Sequence, residues 1–303
     1  MPFEETYRRQ AALLVRTLPL VAAEDCFALK GGTAINLFIR DMPRLSVDID
    51  LTYLPIQSRE QSLKAIDAAM MRISGRITRA IPGAQIPATR AEGATVRLLV
   101  RADGAQIKIE VTPVLRGCVF EPERRSVSPA VEEVFGFAEM TVVSFADLYA
   151  GKIVAALDRQ HPRDLFDVRH LLANEGIDDA LRQALIVYLL SHGRPMSEVL
   201  APTRKSIGEE FLRGFDGMAD APVTLDELMA AREALIDAVT AKMPKAHRAF
   251  LLSFERGDPD WSLLGVPKAA DLPAVKWRRQ NLDKLSPERR SALVARLAEV
   301  LAE

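Results

Sequence analysis

The sequence has few of the features that mark secreted or membrane proteins. Only two of its 303 residues are cysteines, Cys26 and Cys118. Two cysteines cannot form the set of disulfides that holds small secreted domains together, so we expect a reducing, cytoplasmic setting. The N-terminal apolar run follows charged residues and is broken by Pro19, unlike a signal peptide. No stretch is long and apolar enough to span a bilayer, and we expect no membrane association.

The chain as a whole also has no excess of positive or negative charge. The net charge is −1, which argues against a protein that coats nucleic acid non-specifically. A composition of 49% hydrophobic and 27% charged residues is typical of a globular chain, and the length favours two domains. We find no internal repeat and no low-complexity tract.

Basic residues are nevertheless concentrated in two stretches. Residues 72–101 contain one acidic residue, Glu92, and six arginines that could neutralise RNA phosphates on one rim: Arg72, Arg76, Arg79, Arg90, Arg97 and Arg101. The second stretch contains Lys276, Arg278 and Arg279. Trp277 within it could stack on an unpaired base, although such an aromatic in an amphipathic helix is more often part of a core.

Two aspartates one residue apart stand out in the segment 30–51. Alternate side chains of a strand point to the same face, so Asp48 and Asp50 would project together while their neighbours enter the core. Magnesium prefers carboxylate oxygens, and carboxylate-bound metals can clamp a phosphoryl group during an in-line displacement. The pair predicts a magnesium site for nucleotide transfer. Taken alone, an Asp-x-Asp pattern also fits a solvated strand face.

A glycine pair and a threonine precede these aspartates. Phe27–Lys30 is predicted as a strand, after which Gly31 and Gly32 would let the backbone approach a phosphate closely. Thr33 is predicted to start a helix over residues 34–39. The first N–H groups of that helix and the Thr33 hydroxyl would hold a triphosphate. A glycine pair alone marks a turn more often than a phosphate site, but the order of strand, turn and acidic strand favours function.

Four blocks between residues 28 and 172 together resemble a known family. They read GGT followed by RLSVDID, then IKIEVTP, DLYAGK and RQHPRDLFD. A C-terminal PDWSLLGVP segment is also similar to these proteins. The chain resembles the AbiEii/AbiGii-type (MenT-like) nucleotidyltransferase toxins, which belong to the DNA polymerase β-like nucleotidyltransferase superfamily.

Glu110 lies in a strand predicted over Gln106–Thr112. The alternation places Glu110 and Lys108 on one face and apolar residues on the other, a pattern that a half-solvated strand would also show. The resemblance implies that Glu110 is a third metal ligand, beside Asp48 and Asp50, or the general base that deprotonates the acceptor hydroxyl.

Lys152 is predicted to lie one turn into a helix that starts near Ser144. It follows Gly151, so a ligand could pass close by, and a point charge on the β- and γ-phosphates is the role we expect. The resemblance likewise implies a catalytic or nucleotide-binding lysine. Asp147, in the first turn, is explained by helix capping and needs no catalytic role.

The next predicted helix carries an RDxxD arrangement. Arg163 and Asp167 are four residues apart and could form a surface pair, which would not require Asp164. The resemblance implies that Asp164 and Asp167 help to build the site by orienting Lys152 or Arg163 beside the nucleotide. We interpret His170 as structural, because no cysteine or second histidine lies at metal-ligand spacing from it.

The expected site therefore has three overlapping parts. The metal ligands are Asp48, Asp50 and Glu110. The catalytic residues are Asp48, Asp50, Glu110, Lys152 and Asp167. The nucleotide-binding residues are Lys30, Gly31, Gly32, Thr33, Ser46, Lys152, Arg163 and Asp164.

The fold class implied is α/β, of the α+β kind, with a mixed-sheet polymerase β-like core and a mostly helical C-terminal domain. We expect a nucleotidyltransferase domain over 1–175, with a helical lead-in up to about residue 26, and a helical domain over 176–303. Helical periodicity covers 177–190, 225–243, 246–254 and 287–301. Residues 256–274 are predicted to be an irregular connection.

The function implied is that of a magnesium-dependent toxin of a toxin–antitoxin pair in bacterial or phage defence. It would transfer NMP from an NTP to an RNA acceptor, the tRNA 3′ end, block translation, and be opposed by a cognate antitoxin. Two alternatives remain open. One is transfer to a protein or small-molecule hydroxyl, and the other is a module that binds a nucleotide such as GTP without turnover.

Overall fold

The computed structural model describes residues 5–302, and its contacts divide the chain into two compact units. The first unit runs to Ser144 and includes the later segment Gly217–Pro222; the second comprises Phe145–Asp216 and the residues from Val223 onward. Residues 145–175 thus group with the C-terminal helices. The predicted functional boundary at residue 175 stays a prediction, because compactness does not say which residues work together. The first four residues of the predicted lead-in lie outside the described range.

The first unit combines a sheet with flanking helices, as the fold-class prediction requires. Its elements are α1 (Glu5–Ala22), β1 (Phe27–Lys30), α2 (Gly31–Ala34), a π-helix (Ile35–Ile39), β2 (Asp48–Tyr53), α3 (Arg59–Ala80), β3 (Ala88–Ala91), β4 (Ala94–Ala102), β5 (Ala105–Arg116), β6 (Glu123–Ser126), α4 (Pro129–Phe135) and β7 (Glu139–Val142).

Within residues 5–302 these strands form one seven-stranded sheet in the order β3-β4-β5-β2-β1-β7-β6. Strands β2 and β5 are parallel, as are β1 and β7, whereas the other neighbouring pairs are antiparallel. The sheet is therefore mixed, as predicted. Its central strands β1, β2 and β5 bury Leu29, Ile49 and Ile109 completely.

Helix α3 is the largest element that the sequence analysis did not assign. Ser58 and Gln61 form a capping box at its start, which satisfies two backbone N–H groups that the helix cannot pair internally. Ile66, Ile73 and Ile77 recur on one buried face. Half of the arginine-rich stretch therefore lies on a packed helix.

A short return of the chain completes the first unit. After the π-helix, the Leu45 N–H donates to the Met218 carbonyl at 3.1 Å, and Arg44 forms an isolated bridge with Ala219. The Asp220 N–H donates to the Pro43 carbonyl at 3.0 Å. Residues from beyond position 216 thus support the loop that leads into β2.

The second unit is helical, as predicted for the C-terminal part. Its elements are α5 (Phe145–Arg159), α6 (Pro162–Asn174), α7 (Asp179–Leu190), α8 (Met196–Leu200), α9 (Gly208–Gly214), α10 (Leu225–Val239), α11 (Lys245–Arg256), two 3₁₀-helices (Trp261–Leu263 and Pro267–Asp271), α12 (Pro273–Asp283) and α13 (Pro287–Ala302). None of the helices between residues 5 and 302 combines the length and apolarity needed to cross a membrane.

The connection predicted as irregular, residues 256–274, is partly ordered into helical turns. Gly257 ends α11 in the left-handed conformation, with φ of 94°. The Asp260 side chain then accepts from the Ser262 N–H and caps the first 3₁₀-helix. The segment contains several Pro and Gly residues, as expected, but local capping still allows short 3₁₀-helical turns to form between them.

Candidate functional site

Gly31 brings the backbone after β1 into close contact with a carboxylate. Helix α2 begins at this residue, two positions before the predicted start, and Gly31 has a φ of +78°. A Cβ here would lie 2.6 Å from Oδ2 of Asp50, closer than real Cβ atoms approach an oxygen. The glycine is required because the Asp50 side chain fills the space beside it.

Gly31→Ala should therefore be more damaging than a positive φ alone explains. Gly83→Ala is the matched control, because Gly83 has a φ of +76° and no atom within 4 Å of its added Cβ. We expect the control to lose about 1–2 kcal/mol of unfolding free energy from the left-handed backbone, and Gly31→Ala to lose more. Urea denaturation measures both values, and equal losses would show that the Asp50 contact costs nothing.

Gly32 makes room for two further side chains. An added Cβ would lie 2.8 Å from Nη2 of Arg44 and 2.9 Å from Oγ of Ser46. Arg44 is only 2% exposed, and its Nη1 donates to the Leu45 carbonyl at 2.8 Å. The glycine pair therefore admits a carboxylate on one side and a guanidinium on the other. Its predicted contact with a phosphate stays a prediction.

Thr33 ties the glycine turn to β2. Its hydroxyl donates to the Asp48 carbonyl and lies 3.0 Å from Oγ of Ser46. Thr33 is fully buried, so this hydroxyl fixes the position of Asp48 in the structure described here. The contact of Thr33 with a triphosphate stays a prediction and would require the hydroxyl to change partners.

Four charged residues form a row across the centre of the sheet. Lys30 on β1 is paired in register with Asp50 on β2, and Asp50 is paired with Glu110 on β5. Glu110 is in turn paired with Arg97 on β4. Paired residues on neighbouring strands point to the same face, so two carboxylates lie between two cations.

Asp48 and Lys108 lie two residues earlier on β2 and β5 and are also paired in register. Nζ of Lys108 lies 3.0 Å from Oε2 of Glu110 and 3.5 Å from Oδ2 of Asp48. Nη2 of Arg97 lies 3.0 Å from Oε1 of Glu110. Both oxygens of Glu110 therefore have cationic partners, and Lys108 bridges Glu110 and Asp48.

Asp50 is different, because its carboxylate has no hydrogen bond or ion pair with any residue between 5 and 302. Burial raises its pKa and the charge of Asp48 adds to this, against the lowering effect of Lys108 and Lys30. Burial also lowers the pKa of Lys30, although Asp50 opposes the change. The site thus holds a carboxyl group that lacks a close counter-ion.

Glu110 and Lys108 show the opposite balance. Burial alone would raise the pKa of Glu110, but hydrogen bonds from Arg97 and Lys108 outweigh burial and lower it. Burial likewise opposes the charged form of Lys108, yet the hydrogen bond to Glu110 and the nearby aspartates raise its pKa. Both groups are therefore held firmly in their charged forms.

The second unit contains a separate buried cluster around Lys152. Nζ of Lys152, on α5, lies 2.8 Å from Oδ1 of Asp164 and 3.0 Å from Oδ2 of Asp167, both on α6. Nε of Arg159 lies 2.5 Å from the other oxygen of Asp164. Burial would raise the pKa of Asp164, but Lys152 and Arg159 outweigh burial and hold it well below its usual range.

The RDxxD pattern is therefore arranged around Lys152, one of the two cations proposed for it. Arg163 has no side-chain hydrogen bond or ion pair within residues 5–302, and it does not pair with Asp167. Asp147 is buried in the first turn of α5, and its capping role stays a prediction. The His170 ring packs against Phe166 with centroids 4.5 Å apart, a contact that fits a structural role.

Comparison with known proteins decides the family. The family described as nucleotidyl transferase AbiEii toxin, type IV toxin–antitoxin system, matches residues 12–281. The chain belongs to this family. As an AbiEii-family protein it is a nucleotidyltransferase toxin, and membership of a toxin–antitoxin system implies an NTP substrate and an antitoxin partner.

A solved structure supports the fold of this AbiEii-family protein. The chain matches MenT4, a nucleotidyltransferase toxin from Mycobacterium tuberculosis H37Rv, with a TM-score of 0.54 and 18% sequence identity. The match covers 98% of this chain and 95% of MenT4. No curated protein matches the sequence significantly. The structural match confirms the predicted α/β nucleotidyltransferase fold.

The acidic face of this AbiEii-family protein fits a hard divalent cation only in part. Asp48 and Asp50 offer carboxylate oxygens on one face, and Asp50 has no close counter-ion in the described chain. Glu110 is held by Arg97 and Lys108 instead. Accordingly, no group of three or more acidic, histidine or cysteine residues within 5–302 is arranged to hold a metal. Two aspartates fit, and the third ligand requires a rearrangement.

Two cations of this site were not among the predicted site residues. Lys108 had been noted only as a neighbour of Glu110, and Arg97 only as part of the basic stretch. Asp103 and Gly104, both with positive φ, form the two-residue turn between β4 and β5. Counting outward from that turn pairs position 97 with position 110, so the sequence did contain a signal for Arg97.

Most of the arginine-rich stretch has partners within the first unit. Arg72 and Arg76 both lie 2.6 Å from the buried Glu24, and Arg97 binds Glu110. Arg90 lies 3.1 Å from Asp67, and Arg101 donates to Gln106 at 2.8 Å. Within residues 5–302, only Arg79 of the six has no such partner. RNA binding by this stretch stays a prediction.

Proposed function

We propose that this protein transfers NMP from an NTP to an RNA acceptor, with Mg²⁺ bound at Asp48 and Asp50. The observation that carries the proposal is the pair of aspartates on one face of β2, with the Asp50 carboxylate packed on Gly31 and left without a close counter-ion. A buried anion is costly unless a cation or hydrogen bonds compensate it. A metal-bound nucleotide supplies that cation.

The surrounding residues support donor chemistry. Asp48 is positioned by the bond from Thr33 to its carbonyl, and Ser46 lies beside the same hydroxyl. Lys30, beside Asp50 in register, can stabilise negative charge on the phosphates as it shifts in the transition state. Mg²⁺, when bound, would polarise the transferred phosphate and screen its charge. Gly31 and Gly32 have no side chains, so the backbone of this turn lies close to these groups.

Glu110 is proposed as the third metal ligand, which requires at least one of its cationic partners to move away. Both of its oxygens accept from cations and its pKa is lowered, which makes it a weak base at neutral pH. The lowered pKa supports the metal-ligand alternative over the general base.

The second unit contributes Lys152 to the proposal. Asp164 and Asp167 hold its ammonium in one position, which a fixed contact with nucleotide phosphates requires. Arg163 is proposed as a further phosphate ligand, because its guanidinium is not used by other described residues. Asp167 acts by orienting Lys152.

The proposed acceptor is the 3′ end of tRNA, and the proposed result is a block of translation in the cytoplasm, relieved by the antitoxin and useful in phage defence. Family membership supports a toxic transfer reaction. The free guanidinium of Arg163 and the exposed Trp277, which is 50% exposed, support contact with nucleic acid.

Label transfer tests the proposal. Purified protein, Mg²⁺ and total tRNA are incubated with each α-labelled NTP separately, and the products are resolved on denaturing gels, with Asp50→Asn in parallel. We expect label on tRNA with the wild type only, and chelation by EDTA should prevent it. Label on protein would replace the RNA acceptor with a protein hydroxyl. NTP binding without label anywhere would contradict transfer and favour a binding module.

A further inference from the structure

Lys108 occupies a distinctive position in the acidic site. It lies on β5, and its ammonium contacts the carboxylates of both Asp48 on β2 and Glu110 on β5. Its backbone is paired with Asp48 on one side and with Leu99 of β4 on the other, so the strand cannot shift easily. The side chain, 29% exposed, has a flexible four-carbon stem. The ammonium can therefore leave while the backbone stays.

The charges explain why a cation is needed at this point. Asp48, Asp50 and Glu110 project from two adjacent strands, and like charges at such spacing repel one another. The ammonium of Lys108 offsets this repulsion. Glu110 would keep Arg97 as a partner after Lys108 left, whereas Asp48 has no other ion pair within residues 5–302. If the Lys108 ammonium moves away, Asp48 therefore loses its ion pair while Glu110 keeps one.

We infer that Lys108 is an internal counter-ion that holds the metal site closed until a divalent cation arrives with its nucleotide. The inference rests on the proposed function, because it concerns the same carboxylates. Asp48 and Glu110 would exchange the ammonium of Lys108 for the divalent cation when it binds. The nucleotide triphosphate, an anion, gives the displaced ammonium a new partner. Free metal alone offers no such partner, so it competes poorly with Lys108, and the protein favours the metal–nucleotide complex over the bare ion.

Mn²⁺ binding to the nucleotide-free, full-length protein tests this inference. Lys108→Met keeps most of the side-chain volume and removes the charge, and Lys108→Gln serves as a second variant if the first folds poorly. We expect Mn²⁺ affinity, measured by electron paramagnetic resonance of the free ion, to rise at least about tenfold in either variant, as expected when a competing charge is removed at contact distance. Lys108→Arg restores the cation and should return the affinity close to that of wild type.

Arg97→Met is the matched control, because it removes a cation from Glu110 that does not touch Asp48. A gain clearly smaller than that of Lys108→Met is expected. Equal gains, or no gain at Lys108, would overturn the inference. Asp50→Asn separates this failure from failure of the proposed function. If Asp50→Asn abolishes Mn²⁺ binding while Lys108→Met leaves it unchanged, only the counter-ion inference fails. If Asp50→Asn binds Mn²⁺ like wild type, the metal assignment fails as well.

Discussion

Asp50→Asn should abolish nucleotidyl transfer and leave the protein at least as stable as wild type. Loss of the proposed metal-binding carboxylate should lower kcat by at least about 100-fold. Stability should not fall, because burial raises the pKa of Asp50 and the charged form is therefore unfavourable in the folded protein. An asparagine keeps the shape and removes that charge. The effect on activity and the effect on stability thus have opposite signs.

The stability part of this prediction depends on pH. A carboxyl whose pKa is raised on folding destabilises the native state once the pH exceeds its unfolded pKa of about 3.9. The advantage of Asp50→Asn should therefore be greatest near neutral pH and disappear below about pH 4. Asp103→Asn is the control, since Asp103 lies in the β4–β5 turn with its side chain 71% exposed. Lower stability of Asp50→Asn at pH 7 would contradict the view that its charge is uncompensated.

Lys152→Met should destabilise the second unit strongly. Its side chain is 6% exposed, and its ammonium lies between the carboxylates of Asp164 and Asp167, whose side chains are each 1% exposed. Removal of one partner from a buried ion pair leaves an uncompensated charge and costs about 3–5 kcal/mol. Urea denaturation followed by far-UV circular dichroism measures the loss. Lys242→Met is the control, because its pair with Asp237 is exposed and should contribute less than about 1 kcal/mol.

The same cluster predicts a pH dependence. Because Lys152 and Arg159 lower the pKa of Asp164, the pair contributes stability above the unfolded pKa of about 3.9 and loses it as the pH falls below that value. The difference between wild type and Lys152→Met should shrink below about pH 4. A difference that stays constant from pH 7 to pH 3 would show that packing, not charge, accounts for the loss. Loss of transfer in Lys152→Met alone is thus not proof of a phosphate contact.

The elements that carry the acidic site were predictable because their signals are local. Alternation identified β2 and the central part of β5, and the strand before Gly31 was predicted with the observed bounds. The same local signals placed Asp48 and Asp50 on one face. Local signals could not show why glycine is required at these two positions, because the side chains that approach Gly31 and Gly32 come from β2 and the loop before it.

Contacts between residues that are far apart in the sequence could not be predicted from local patterns. The ion pairs of Arg72 and Arg76 with Glu24 join residues about fifty positions apart. From composition alone, these arginines were predicted to be part of an RNA-binding rim. The bond between Leu45 and Met218 spans an even longer separation. No periodicity or motif marks residues 217–222 as part of the sheet unit. Such pairings depend on the assembled fold and not on the local sequence.

The return segment Gly217–Pro222 sets a limit on how this protein can be divided. The chain passes between its two compact units three times, so neither unit corresponds to one uninterrupted piece of the gene. A fragment that stops at residue 144 or 175 keeps Asp48, Asp50 and Glu110, yet it lacks the backbone partners of Leu45 and Arg44. Arg44 packs on Gly32, beside the acidic face. Truncation can thus silence the toxin without removing any residue of its proposed metal site.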